Sequence, residues 1–299
     1  MIRDPEALAQ LLEGSVLGER PVTAIPVPGG EEPAFAVDCV YDEVLAAWQA
    51  GRAVVDRSGR WPVVVAGWFG GVDAEVFNRF PFDHGAGGDT SISGILRRAE
   101  GIDPADVIAE LAANDARWDA YDHLVSFELP STRRSVGDAP LEAVVRAALG
   151  AHTTHDVLDR WLLDWEEATG PIKPESAAYL DWFEPSGLDT AVLFLPTEHS
   201  WHAPAYLSFF GAEGPGGAEK LIAVVRSWHE RFQAELVAHF GTMLELVVGR
   251  PPAALDDAWV LAREQELVAP CTTALPGVTL RRHARSLVGR NTWFLHERP

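Results

Sequence analysis

The chain has 299 residues, 47% of them hydrophobic and 23% charged, with a formal net charge of −20 at pH 7. This is globular composition, enough for one large domain or two modest ones around a sizeable core. The acid excess speaks against nucleic acid and anionic membranes as partners and attracts basic proteins. Cys39 and Cys271 are too few for a disulfide framework and suit a reducing cytoplasm.

In chain order, "MIRDPEALAQLLEG" reads as an amphipathic helix and not as a secretory signal. "AFAVDCV" (34–40) alternates as a strand, and "YDEVLAAWQAGR" (41–52) follows as a helix with Val44, Leu45 and Trp48 on one side. "RWPVVVAGW" (60–68) is a strand buried on both faces, whose Pro62 belongs at its beginning or on an edge. The longest apolar run, "VVVAGWFGGV", is far shorter than the roughly 20 residues of a membrane span. The glycine-rich connection 82–94 holds Asp83, His84 and Asp89 without a Walker lysine, so a surface loop outranks a phosphate cradle.

"DPADVIAELAANDARW" (103–118) is a helix with Asp103 as N-cap and Pro104 at its first position. "HLVSFELP" (123–130) reads as a strand, and the polar stretch 131–140 as a boundary. It separates an N-terminal α+β region, 1–135, from a C-terminal α+β domain, 136–299. A helix over 153–170 carries the stripe Leu158, Trp161, Leu162 and Trp165, with Thr153 and Asp156 as its capping box. The last third gives strands 191–197 and 205–211, a long helix 218–240, strand 243–249, helices 253–268 and 279–288, and strand 292–298. This irregular alternation predicts an α+β fold with a mixed or mainly antiparallel sheet covered by helices, in two sub-domains at most.

Four stretches, "HSWHAPAYLSFFGA", "AELVAHFGTMLELVVGRPP", "AWVLAREQELVAPC" and "LVGRNTWFLHERP", resemble an uncharacterised bacterial family, domain of unknown function 4253. The resemblance covers roughly 178–299, with a looser likeness upstream in "GRWPVVVAGW" and "LDRWLLDWEEATG". It implies that the last third is one folding unit, and it lends no catalytic residue.

The candidates for chemistry are few. His199 and His202 beside Glu198 could face one metal ion, but two ligands do not make a site, so no metal is expected. Their bland alternative is a tight turn packed by Trp201, Pro204 and Tyr206. On the expected helix 218–240, Glu235 and His239 are four apart, the spacing of an acid–imidazole base pair. Its apolar face, Leu221, Val225, Trp228, Phe232, Leu236 and Phe240, reads as core, with His229 near Trp228. Cys271 reads as an inert thiol, and no serine stands in a nucleophile elbow. Arg281, Arg282, Arg285 and Arg290 gather within "TLRRHARSLVGR" (279–290), where ion pairs with nearby carboxylates are the first expectation.

The leading reading is a cytoplasmic protein that binds or regulates a basic protein partner, by analogy with immunity proteins, and not an enzyme. It calls for no cofactor, nucleic acid or membrane. The rival is an enzyme or small-ligand binder whose cleft is lined by the 197–206 loop and helix 218–240, with Trp201, Tyr206, Trp228 and His229 against the ligand.

Overall fold

A computed structural model describes residues 1–67, 72, 76–77, 89–115, 120–174, 176–186, 188–212 and 217–298. The chain begins with α1 (Pro5–Leu12), β1 (Val22–Ile25), β2 (Ala34–Cys39), α2 (Val44–Arg52), α3 (Val55–Ser58), β3 (Trp61–Ala66), α4 (Ile92–Glu100) and α5 (Pro104–Asp115). It continues through α6 (Leu129–Val136), α7 (Glu142–Leu149), α8 (His155–Thr169), β4 (Thr190–Leu195), α9 (Gly217–Phe232), β5 (Ala234–His239) and β6 (Met243–Val248). α10 (Leu255–Val268), α11 (Leu280–Leu287) and β7 (Thr292–His296) complete it. The fold is α+β, as expected. No helix among the described residues is long and apolar enough to cross a membrane.

Contacts divide the chain into two compact units, each drawn from separated segments. A sheet unit comprises 1–104, 182–250 and 291–299, and a helical unit comprises 105–181 and 251–290. The stretch 131–140 is therefore interior to the helical unit, and most of it is helical. Residues 178–299 likewise fall into both units, because β7 returns to pair with β6 after the α10–α11 excursion.

In the sheet unit, the strand order β1-β2-β4-β3-β5-β6-β7 is antiparallel except for the parallel pair β3–β5. β3 and β4 are central and buried along their whole length, which is why both read as continuous apolar runs. Pro62 occupies the second position of β3, opposite Phe194, close to the start that proline requires. α9 packs its Trp228 and Phe232 edge-to-face on Trp293 of β7, with centroids 6.1 and 5.6 Å away. On α2, Trp48 is buried as expected, whereas Leu45 faces out.

The expected helix 218–240 is really helix, turn and strand. Gln233 takes a left-handed φ of 52° and stops α9, and Ala234–His239 then pair with β6. A spacing of four, Phe232–Leu236–Phe240, satisfies strand alternation as well as helical periodicity, and the partner strand decided between them. The expected strand 205–211 is also absent. Short 3₁₀ turns occupy Ser200–Ala205 and Phe210–Ala212, with Pro204 unable to donate to a sheet ladder.

The helical unit packs Leu124, Val145, Leu158 and Leu162 into its own core. Here 123–130 also departs from its expected strand. It runs through a 3₁₀ turn (Ala120–His123) and a π turn (Leu124–Glu128) directly into α6. Leu124 and Glu128 thereby share the buried side of one coil, while Val125 stands 57% exposed.

Candidate functional site

The histidine, glutamate and aromatic candidates from 199 to 239 lie in the sheet unit, in three different settings. His199, Trp201, His202 and His229 do come together: the His199 ring stacks on Trp201 at 4.4 Å, and His229 meets the same indole at 4.5 Å. His202 stands edge-on to His199 at 5.0 Å. Two of the three imidazoles are also tied into the fold. His202 Nδ1 is 2.8 Å from Thr197 Oγ1, and His229 Nδ1 is 3.0 Å from the Ala234 carbonyl. Burial, aided by His199 and Arg226, pushes His202 down to about 4, so this ring is neutral at physiological pH.

Trp228 and Tyr206 serve the core instead. Trp228 is fully buried, and the Tyr206 hydroxyl donates to the Pro196 carbonyl at 3.1 Å. The acid–imidazole pair Glu235/His239 does not form as a helical pair, because both residues lie on β5. Glu235 instead takes a two-pronged bond from Arg52, at 2.8 and 2.9 Å, and His239 Nδ1 accepts from the Gly241 N–H. Asp83 and His84 lie outside the described residues.

The strongest concentration of buried charge is in the helical unit. Arg281, on α11, is fully buried, and all five of its guanidinium N–H groups are used. Nε donates to Glu166 Oε1 at 2.8 Å; Nη1 donates to Glu128 Oε2 at 2.6 Å and to Asp159 Oδ1; Nη2 donates to the Glu128 carbonyl and Thr132 Oγ1, each at 3.2 Å. Its backbone N–H reaches Asp159 Oδ2 at 2.8 Å. Arg285 takes the second oxygen of Glu166 at 2.7 Å, and His155 Nε2 stands 3.5 Å from Glu128 Oε1. Three carboxylates thus face two arginines and one histidine, which is how charge survives burial.

The π turn brings Glu128 to this point, and α8 presents Asp159 and Glu166, seven residues apart, on its buried face beside Leu158 and Leu162. Electrostatics separates the three titratable neighbours. Burial would raise Glu128, but the hydrogen bond from His155 and the Arg281 charge hold it down near about 2. Burial would lower His155, but Glu128, Asp159 and Glu266 carry it up to about 9. Asp159, the most enclosed, is pushed by burial up to about 6 against the pull of Arg281. Glu128, His155 and Asp159 could between them offer one metal three ligand atoms within 4.8 Å of one another, yet Arg281 already supplies the positive charge at that point.

One edge of this network opens into a cavity of about 660 Å³. Glu128 and His155 form part of its wall, Arg263 and Thr154 add polar atoms, and Phe127, Leu267, Val278 and Leu280 supply apolar surface. His155 is 39% exposed at its side chain. Carrying a proton at neutral pH, it can donate a hydrogen bond or a proton to a bound molecule, and it cannot serve as a base.

Residues 191–296 match the family described as Domain of unknown function (DUF4253). No curated protein and no solved structure matches the chain. The DUF4253 segment runs from β4 to β7 and so passes through both units, contributing Arg281, Arg263 and the 267–280 wall of the cavity. Glu128, His155, Asp159 and Glu166 all precede it. The site is completed by residues outside the matched segment, in the stretch whose strand reading concealed Glu128 and whose aromatic stripe drew attention away from Asp159 and Glu166.

Proposed function

We propose that the chain binds a small organic ligand in the helical unit, with the apolar wall holding its body and His155 meeting a hydrogen-bond acceptor at its polar end. This is the rival reading of the sequence moved to a different place. The cavity carries it: its 660 Å³ lie within the roughly 300–1,000 Å³ of small-molecule sites, and apolar walls with a few converging polar groups are their usual chemistry. Groups whose acidities are driven apart by burial and charge, here from about 2 at Glu128 to about 9 at His155, also concentrate at working sites.

Anilinonaphthalene sulfonate, an aromatic anion of suitable size, is the probe. Its fluorescence should rise saturably with the intact protein. Leu267→Trp, which pushes an indole into the cavity, should weaken that rise markedly while native near-ultraviolet dichroism is kept. His155→Gln should weaken binding about tenfold, the scale of one lost charge-assisted hydrogen bond. Unchanged dye affinity in a folded Leu267→Trp protein refutes the reading.

A further inference from the structure

A second recess in the helical unit, of about 400 Å³, is formed by α7, α8 and α10. Its apolar surface is Leu149, Val157, Trp161 and Trp259, with both indoles half-buried and Val157 exposed. Asp156 and Asp164 stand on its rim. Its one base, Arg160, is held by Asp164 at 3.1 Å and by Asp256 at 2.8 Å, and its guanidinium lies 5.7 Å from the centre of the Trp259 ring. The recess thus already holds one cation against an indole and carboxylates, and Asp156 makes no ion pair among the described residues.

We propose that this recess docks a basic segment of another protein, one that sets an aliphatic side chain against Trp161 and Trp259 and places neighbouring Lys or Arg on Asp156 and Asp164. Aromatic anchors inside a polar rim are the usual make-up of an interface centre. Charge selects the partner: the local acids outnumber Arg160, and the whole chain carries −20, so a second copy of the chain is repelled and a basic protein is drawn in.

A synthetic helical peptide with a leucine stripe flanked by arginines tests this, read by fluorescence anisotropy at physiological salt. Trp161→Ser and Trp259→Ser should each weaken binding about tenfold, as central aromatic anchors do. Leu141→Ser, at an exposed position immediately before α7, should leave it unchanged. The double variant Asp156→Asn with Asp164→Asn alters only rim charges, and should weaken binding and flatten its dependence on salt. Equal affinity in a folded Trp259→Ser protein, or in the Asp156/Asp164 variant, overturns the proposal. So does an all-serine-stripe peptide that binds as tightly as the leucine one, since attraction would then follow from net charge alone.

Discussion

Arg60 in the sheet unit and Arg281 in the helical unit are both fully buried, and the two units hold them by opposite means. Arg60 is surrounded by carbonyls, with Nε on Ile2 at 2.9 Å and Nη1 on Pro33 at 2.7 Å, and lies 3.9 Å from the centre of the Phe35 ring. Burial pulls it down to about 10, with Glu32 only a partial offset. Arg281 is surrounded by carboxylates, which raise it despite deeper burial. Carbonyls take the Nε and Nη1 protons of Arg60, leave Nη2 without a hydrogen-bond partner among the described residues and leave the charge unbalanced, whereas the surroundings of Arg281 use all its N–H groups and balance the charge with carboxylates. In the sheet unit the arginine serves the chain's own backbone. In the helical unit it anchors a charged network that extends to a cavity wall.

The largest expected effect follows directly. Arg281→Met takes the guanidinium from buried Asp159 and leaves Glu166 only Arg285 and Glu128 only His155, and should cost on the order of 3–5 kcal/mol. Arg60→Met leaves only carbonyls short of donors and should cost roughly 1–3 kcal/mol. Denaturant melts of the two variants measure the gap, and equal losses would break the comparison.

A lone buried acid sharpens it. Glu245, on β6 of the sheet unit, has no ion-pair partner among the described residues. Burial pushes it up to about 8, offset only in part by the Phe183 backbone. The folded chain keeps a proton that the unfolded chain releases above 4.5, so stability should fall as pH rises from 4.5 to about 8 and then level off. Glu245→Gln should remove that slope and add on the order of 3 kcal/mol near pH 7.5. A slope that persists in this variant would place the titrating group elsewhere.

The smallest effect belongs to the half-exposed member of the network. His155 is raised from 6.5 to about 9, so its contribution to stability is full below 6.5 and lost as pH climbs through 9. Glu128 acts at the other end, and its contribution is lost as pH falls from 4.5 towards about 2. Thermal melts of His155→Gln should lose the alkaline decline and keep the acid one. A variant that keeps both would mean that Glu128 draws its stabilisation from Arg281 alone.

How far these features could be read in the sequence depended on which forces set them. The central strands were legible because burial on both faces leaves a continuous apolar run in β3 and β4. The arginines of 279–290 were legible as ion-pair formers, and Arg281 and Arg285 on α11 and Arg290 beyond it all have acids, the last at Asp181. The β5 strand was not legible, since its pairing with β6 lies outside any local window. Nor was the site. Glu128 owes its position to a π turn that no side-chain pattern announces, and an acid at the i and i+7 positions of a leucine stripe looks like an interruption until the buried arginine opposite it is known. The histidines around Trp201 gather on that indole, and His202 and His229 each commit a ring nitrogen, to Thr197 Oγ1 and to the Ala234 carbonyl.

The interleaving of the two units sets an order on biosynthesis. The helical unit needs 251–290 to supply Arg281 to acids made more than a hundred residues earlier, and the sheet needs β7, made after that. During translation at roughly 5–20 residues per second, Glu128, Asp159 and Glu166 therefore wait as solvated anions until α11 emerges. The free edge of β6 stays unsealed until the 292–296 segment follows, so that edge is where a nascent chain would need a chaperone's cover.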